Sequence, residues 1–109
     1  MEQITFDEFK RMDLRVGQIF HAEKVEGTQK LIKIEVDIGT EKRQMVAGVA
    51  EVYPPETLVG KRIIVVANLK PATIRGIESQ GMLLAADLPG DKVIIPFLGE
   101  DVPVGTKVR

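Results

Sequence analysis

Residues Leu31–Gly39 read LIKIEVDIG, and apolar side chains alternate with charged ones from Ile32 to Ile38. Successive side chains of a β-strand point to opposite faces, so this alternation predicts a strand with one buried face and one solvated face. The turn residues Gly39-Thr40-Glu41 follow, and Arg43–Val49 (RQMVAGV) is the expected antiparallel neighbour. The stretch therefore predicts two adjacent strands of an antiparallel sheet.

The segment on the N-terminal side, Asp13–Val25 (DLRVGQIFHAEKV), is long and rich in β-forming residues. Leu14 and Val16 lie in one phase of the strand and Ile19 lies in the other, with Gly17 at the point of change. A glycine at such a point is typical of a β-bulge, which bends a strand between two sheet faces. We expect Gly17 to mark a bulge and this strand to serve both halves of a barrel.

One short helix is expected, at the N-terminus. Thr5 and Glu8 have the spacing of a capping box, and Phe6 and Phe9 fall on one helical face. Thr5 to about Met12 is therefore predicted to be a helix that lays two Phe rings on the rest of the fold.

The second half of the chain predicts further strands. Lys61–Leu69 (KRIIVVANL) is apolar in both phases, which indicates a strand covered on both sides. Met82–Ala86 and Lys92–Phe97 are expected to be short strands separated by the turn residues Leu88–Asp91.

The order of these elements favours one all-β architecture. Pro54 and Pro55 precede Glu-Thr-Leu, where a proline at the first helical position suits a single helical turn between the third and fourth strands. Five short strands with such a turn are typical of a five-stranded OB-fold barrel rather than a sandwich. An SH3-like barrel is the alternative, and the helical turn argues against it. We expect residues 1–109 to form one such domain.

Composition argues against catalysis. The chain has 109 residues, a net charge of −1, no Cys and one histidine, His21, so it lacks the partners of a catalytic triad or a zinc site. We expect no enzyme activity, no metal and no cofactor. The absence of Cys, of a signal-peptide pattern and of a long apolar run predicts a cytoplasmic protein without a membrane partner.

Cationic residues gather on neighbouring predicted strands. Lys30 and Lys33 belong to the second strand region, Arg43 begins the third strand, and Lys61 and Arg62 begin the fourth. OB barrels bind oligonucleotides on the face of strands two and three, so this cluster is a candidate RNA surface. Ordinary charged strand surface is the alternative, and the net charge counts against a binder that lacks a local basic face.

The segment Asn68–Met82 (NLKPATIRGIESQGM) is expected to leave the barrel as a loop. Lys70 and Arg75 supply positive charge that can contact phosphate. Asn68, Ser79 and Gln80 supply neutral hydrogen-bonding groups, and Met82 supplies a polarisable apolar surface. These groups suit an RNA contact. A loop ordered only for turn geometry is the alternative.

Four stretches match a known family: FDEFKRMDLRVGQI, QKLIKIEVDIG, MVAGVAEVYPPETLVGKRIIVVANLKP and GIESQGMLLAA. From Phe6 to Arg109 the chain resembles the tRNA-binding domain family. That family includes stand-alone dimeric tRNA-binding proteins, the C-terminal domain or β subunit of methionyl-tRNA synthetase, and EMAP-II-like cytokine domains. NLKP followed by GIxSxGMxLAA is a specific signature. Many synthetase domains carry His-Pro-x-Ala-Asp-Lys-Leu before the second strand, whereas this chain reads HAEKVEGTQKL, so no contact from Glu23 to Gln29 is carried over.

The resemblance implies an OB fold with extra C-terminal strands, present as a homodimer that binds the outer corner of the L-shaped tRNA by shape. Lys30, Ser79 and Met82 match the family's tRNA-contacting positions, and Asn68 and Arg75 lie in the same signature. Together with the strand residues above, the expected tRNA contacts are Lys30, Lys33, Arg43, Asn68, Arg75, Ser79 and Met82.

Partners follow from the same resemblance. The expected dimer contact is the apolar run Val93, Ile94, Ile95, Phe97 and Leu98, for which core packing is the alternative explanation. As a β subunit or C-terminal domain, the chain would also meet a methionyl-tRNA synthetase catalytic unit. The competing function is that of a CsaA-like export chaperone, which shares the fold and dimer but binds unfolded polypeptide. Its loop typically departs from the NLKP and SxGM pattern kept here.

Overall fold

Strand β1 (Leu14–Lys24) is the longest element of the computed structural model, which describes residues 1–109. Its first half pairs antiparallel with β4 (Arg62–Val66) and its second half with β2 (Ile32–Asp37), which pairs in turn with β3 (Lys42–Ala47). The other elements are α1 (Phe6–Lys10), a 3-10 turn (Pro55–Thr57), β5 (Ala72–Ile74), β6 (Ile77–Ser79), β7 (Met82–Leu83), β8 (Ala86–Leu88), β9 (Lys92–Ile94) and β10 (Lys107–Val108).

The main sheet has the order β3-β2-β1-β4-β7, with β10 added to β1. Because β1 serves both halves, the sheet curls into the nearly closed OB-like barrel that the sequence predicts, with the helical turn between β3 and β4. Two hairpins, β5–β6 and β8–β9, form separate two-stranded sheets. Neither helical segment approaches the length needed to cross a membrane.

The barrel interior is filled by aliphatic side chains from one phase of each strand. In β2, Ile32, Ile34 and Val36 are fully buried while the alternate charged residues stay partly exposed, which confirms the predicted pattern. Leu58, directly after the 3-10 turn, is also fully buried, so the connection between β3 and β4 adds a side chain to the core.

Gly17 is needed for close packing rather than for a bulge. The shift in the β1–β2 register lies between Ile19 and His21, so the bulged residue is Phe20, and the expected bulge at Gly17 is wrong. A β-carbon on Gly17 would lie 2.5 Å from Cγ1 of Val36 and 3.0 Å from Cγ2 of Val65. The two halves of the barrel approach too closely here to admit a side chain, which explains why this position is a glycine.

The N-terminal helix begins as predicted. Thr5 is the N-cap, and its hydroxyl accepts from the Glu8 N–H at 3.1 Å while the Glu8 carboxylate accepts from the Thr5 N–H at 3.0 Å. The helix contributes little to the core, however, because Phe6 is 70% exposed and no residue of α1 is buried. The expectation that both Phe rings cover the fold is wrong for Phe6.

Strand β4 is sealed on one face only. Ile63 and Val65 are fully buried, whereas Ile64 and Val66 keep an exposed fraction, so the expected cover on both sides is wrong. The C-terminal chain forms a bridge with the first residue of β4, between Arg62 and Leu98. The partial exposure of Ile64 and Val66 shows that the outer face of the strand is incompletely covered.

The expected loop Asn68–Met82 contains a hairpin that the sequence analysis missed. Strands β5 and β6 pair across Arg75 and Gly76, which both have positive φ (52° and 78°), the requirement of a type I′ turn. Two later strands are shorter than predicted: Met82–Ala86 divides between β7 and β8, and β9 ends at Ile94.

The apolar run near the C-terminus is divided between core and surface. Ile95 is 3% exposed and belongs to the core, and its N–H donates to the Tyr53 hydroxyl at 2.9 Å. Ile94 is 46% and Phe97 38% exposed. Ile95 is therefore not available as the dimer contact that was expected of it, while Ile94 and Phe97 are.

Replacing Gly17 with alanine is expected to lower the free energy of unfolding by about 1–3 kcal/mol, because the added methyl group overpacks the junction. Gly48→Ala is the matched control, since nothing lies within 4 Å of the β-carbon that it adds and neither glycine has a positive φ. Urea denaturation measures the difference. Equal stability of the two variants would contradict the packing assigned to Gly17.

Candidate nucleic-acid interface

The barrel closes through a seam in which side chains replace part of a strand ladder. The seam consists of Gln44 and Val46 of β3 and of Ser79 and Gln80 on the facing chain. One backbone hydrogen bond crosses it, from the Gln80 N–H to the Gln44 carbonyl oxygen at 2.9 Å. The Val46 N–H donates instead to the Ser79 hydroxyl at 3.1 Å, and that hydroxyl donates to the Gly81 carbonyl oxygen at 3.2 Å.

The two glutamines complete the closing seam. The Gln44 N–H donates to Oε1 of Gln80 at 3.2 Å, and the Gln44 side-chain amide donates to the Glu78 carbonyl oxygen at 2.9 Å. Ser79 is 5% exposed and is the only buried polar residue of the chain. The predicted contact residue Ser79 thus has its hydroxyl engaged inside the protein.

Arg43 extends the seam to the end of β4. Its guanidinium donates to the carbonyl oxygens of Ala67 and Gln80, the latter at 3.4 Å, and to the Glu41 carboxylate at 3.0 Å. That last hydrogen bond lowers the pKa of Glu41 below its ordinary value. Arg43 therefore holds three segments together while keeping its charge at the surface of the barrel mouth.

Asn68 joins the end of the N-terminal helix to the chain that follows β4, close to Arg43. Its Oδ1 accepts from the Asp13 N–H at 2.8 Å, and its Nδ2 donates to the Arg11 carbonyl oxygen at 2.6 Å. The Asp13 carboxylate accepts from Arg15 at 3.0 Å, and this hydrogen bond lowers the pKa of Asp13, with attraction from Lys107 and Arg43 acting in the same direction.

These groups surround a cleft of about 390 Å³ that we call the cationic mouth. Its polar lining residues are Glu41, Lys42, Arg43, Asn68, Lys70 and Gln80. Three of them are cations and one is a carboxylate, which is paired with Arg43. Lys42 and Lys70 make no ion pair within the chain, so the mouth carries unneutralised positive charge although the whole chain has a net charge of −1.

The structure brings Arg43 and Asn68 together but separates the other predicted strand residues from them. Lys30 precedes β2 at the end where Ile32 faces Ala47, about 13 Å along the hairpin from the pair of Val36 and Arg43. Its ammonium contacts the Asp91 carboxylate at 3.1 Å, which raises the pKa of Lys30.

Lys33 and Arg43 also point to different sides of the sheet. Lys33 faces outwards, 3.9 Å from the Glu23 carboxylate, whereas Arg43 is the cross-strand partner of the inward-facing Val36. The single cationic face expected for Lys30, Lys33 and Arg43 is therefore not formed.

Arg75 and Met82 lie on exposed parts of the 68–82 segment. Arg75 is at the tip of the β5–β6 hairpin, and Met82 is 58% exposed at the start of β7. The sequence analysis missed Lys42, which lies in the mouth and in β3. Neighbouring residues of a strand point to opposite faces, so no sequence pattern indicates that Lys42 and Arg43 line the same cleft.

Comparisons with known proteins agree on one family. Residues 14–107 match the family model described as "Putative tRNA binding domain". The chain belongs to the tRNA-binding domain family. Its relatives include methionine–tRNA ligase of Methanothrix thermoacetophila, 54% identical over 106 residues, which are 97% of this chain and 16% of that protein. This tRNA-binding domain thus spans about one sixth of the length of the curated relatives it matches.

Solved structures support the same fold. A MetRS-related protein from Pyrococcus horikoshii superposes with a TM-score of 0.95 at 47% identity, and each chain is covered completely. The chaperone CsaA of Bacillus anthracis superposes with a TM-score of 0.92 at 30% identity, covering 99% of this domain and 100% of that chain. The fold expected from the resemblance is confirmed.

Ser79→Ala is expected to lower the free energy of unfolding by about 1–3 kcal/mol, because the Val46 N–H loses its acceptor in a partly buried position. Thr73→Ala, at an exposed hydroxyl of the same hairpin, should change it little. Thermal and urea denaturation of both variants provide the comparison. If Ser79→Ala is as stable as Thr73→Ala, the seam hydrogen bonds do not hold the barrel closed.

Proposed function

We propose that this domain binds tRNA without catalysing a reaction and that the cationic mouth is the centre of the contact. The observation that carries the proposal is the separation of charge. Lys42 and Lys70 are unpaired at the mouth, while Asp91 and Glu51 act on Lys30 at the far end of the β2–β3 hairpin. A phosphate backbone is attracted to such a local excess of cations even when the net charge of the protein is near zero.

The predicted contact residues fall into two groups, according to whether the fold leaves their side chains accessible to RNA. Arg75 and Met82 are exposed and meet the RNA directly, Arg75 through phosphate and Met82 through a sugar or base. Lys30 and Lys33 reach phosphates by exchanging their carboxylate partners Asp91 and Glu23.

The remaining three predicted contact residues support the RNA-binding surface of the protein through internal hydrogen bonds. Arg43, Asn68 and Ser79 make their hydrogen bonds within the protein and hold the segments that form the mouth in place. A rigid surface of this kind suits recognition of a folded RNA by shape, which relies on the backbone and 2′-hydroxyls more than on base sequence. The outer corner of the L-shaped tRNA is the surface that we assign to it.

The relatives support a role for this domain in association with methionyl-tRNA synthetase. Because methionine–tRNA ligases contain a matching domain, we propose that the domain serves such an enzyme, either as a C-terminal domain or as a separate β subunit. A cytoplasmic location follows from that role. In either form the domain adds tRNA affinity and leaves the chemistry to the catalytic unit.

We also propose a homodimer that pairs two such surfaces. Ile94 and Phe97 give the C-terminal segment an exposed apolar surface next to the half-covered Val93 and Leu98. Two mouths on one particle engage one RNA at high effective concentration, which compensates for the few phosphates that each mouth can contact.

A chaperone function is the second candidate, and an apolar cleft favours it. This cleft of about 320 Å³ lies between β3 and the β7–β9 region and is lined by Met45, Ala47, Met82, Leu83, Ala85 and Val93, among others. Two of the similar solved structures are CsaA chaperones. Parallel binding assays with bulk tRNA and with an unfolded polypeptide distinguish the two functions.

Removing a cation from the mouth or from the tip of the β5–β6 hairpin is expected to weaken tRNA binding and to reduce the salt dependence of the affinity. For Lys70→Ala and for Arg75→Asn, the slope of log affinity against log salt should fall in magnitude by about 0.7–0.9 each. Asparagine is chosen at Arg75 because it tolerates the positive φ. Titrations with bulk tRNA at several salt concentrations give the slopes.

Lys24→Ala is the control for that series, since Lys24 is exposed at the end of β1 and faces Ile32, far from the mouth along the β2–β3 hairpin. Its slope should equal that of the wild type. Equal losses from Lys24→Ala and Lys70→Ala would show that the contact does not centre on the mouth.

Variants of the adjacent residues Ile94 and Ile95 distinguish a dimer contact from core packing. Ile94→Arg is expected to give a folded monomer whose tRNA affinity is at least about tenfold lower, because one of the two linked surfaces is lost. Ile95→Arg should instead unfold the domain, since that side chain is in the core. Light scattering and circular dichroism report mass and fold. A dimeric Ile94→Arg variant with unchanged affinity would refute this interface.

A further inference from the structure

Phe20 is extruded from the sheet at the bulge of β1. Ile19 pairs with Val36 and His21 pairs with Glu35, so Phe20 between them has no cross-strand partner. Its side chain is 41% exposed, and it is the only Phe, Tyr or Trp in β1, β2 or β3. Bulges commonly re-aim a side chain next to a functional site, so the direction of this ring requires an explanation beyond packing.

The ring lines a polar cleft that continues the cationic mouth. This cleft of about 310 Å³ is formed by Phe20, Glu35, Lys42, Arg43, Gln44 and Gln80. Three of its residues, Lys42, Arg43 and Gln80, also line the mouth. The Lys42 ammonium lies 5.0 Å from the centre of the Phe20 ring. The Phe20 ring and the Lys42 ammonium that lies over it are therefore together at the edge of the proposed RNA surface.

Glu35 provides a free hydrogen-bond acceptor in the same cleft. Its carboxylate makes no hydrogen bond or ion pair within the chain, whereas Gln44 and Gln80 have their amide groups committed to the closing seam. A carboxylate accepts from the amino groups of cytosine, adenine and guanine. It is repelled by uracil, whose single ring N–H lies between two carbonyl oxygens.

We infer that Phe20 stacks on an unpaired base of the bound RNA, with Glu35 accepting from its exocyclic amino group and Lys42 meeting the adjoining phosphate. The inference rests on the proposed tRNA binding and adds a base contact to it. Stacking needs a base that is not enclosed in a helix, so the contact selects a loop or another splayed position. The site thus prefers an amino-bearing base over uracil.

Two variants test the stacking role with tRNA. Phe20→Leu is expected to lower the affinity for bulk tRNA about tenfold, a typical effect of losing one stacked base, while Phe20→Tyr retains the ring and the affinity. The salt slope stays unchanged in both, because no charge is removed. The matched control is Phe6→Leu, at an exposed Phe that also has a lysine, Lys10, over its ring at 5.6 Å.

A second measurement is independent of tRNA. Short oligocytidylate is expected to shift the NMR signals of the Phe20 ring more strongly than oligouridylate of equal length, and Glu35→Ala should abolish that difference. Ring shifts without tRNA binding would uphold the base site and refute the proposed function. Normal tRNA binding by Phe20→Leu, together with equal responses to the two oligonucleotides, would overturn the base site and leave tRNA binding in place.

Discussion

The fold depends on how the two ends of the curled sheet are joined. Strand β3 would be an open edge, with unpaired N–H and carbonyl groups exposed to other chains. Ser79 and Gln80 satisfy the Val46 and Gln44 N–H groups with side-chain oxygens, and one backbone hydrogen bond completes the join. The Ser-Gln of SQGM therefore has a structural task before any RNA is present. Because the closure uses side chains, a substitution there affects the barrel and the binding surface together.

The same join determines where the charge lies. Arg43 is fixed by carbonyl oxygens at the end of β4 and in the seam, and Asn68 fixes the neighbouring chain to the N-terminal helix. Lys42 and Lys70, on either side of these anchors, are left without carboxylate partners. A nearly neutral domain can present a cationic mouth in this way, because the field close to a surface depends on the position of charges rather than on their sum.

The sequence predicts those elements of the fold that are determined by hydrophobic periodicity and by local hydrogen bonds. The alternation in β2, the capping box at Thr5 and the helical turn after β3 are confirmed because each depends on near neighbours in the chain. The bulge at Phe20 and the burial of Ile95 were misplaced because they depend on contacts between distant segments. The β5–β6 hairpin is local, but its strands are only three residues long and its turn carries Arg at a position of positive φ, so neither periodicity nor a usual turn sequence marks it. For the site, the signature segment supplies Asn68, Lys70 and Gln80 to the mouth, but only the fold shows that Ser79 faces inwards and that Lys42 joins Arg43 there.

Amide hydrogen exchange with and without bulk tRNA, at low ionic strength, tests most directly whether the mouth is the RNA surface. We expect slower exchange in the presence of tRNA at Lys42, Arg43, Leu69 and Lys70, and unchanged exchange at 56–60, after the prolines of the helical turn. A folded protein whose exchange does not respond to tRNA, or responds only at 56–60, would contradict this expectation.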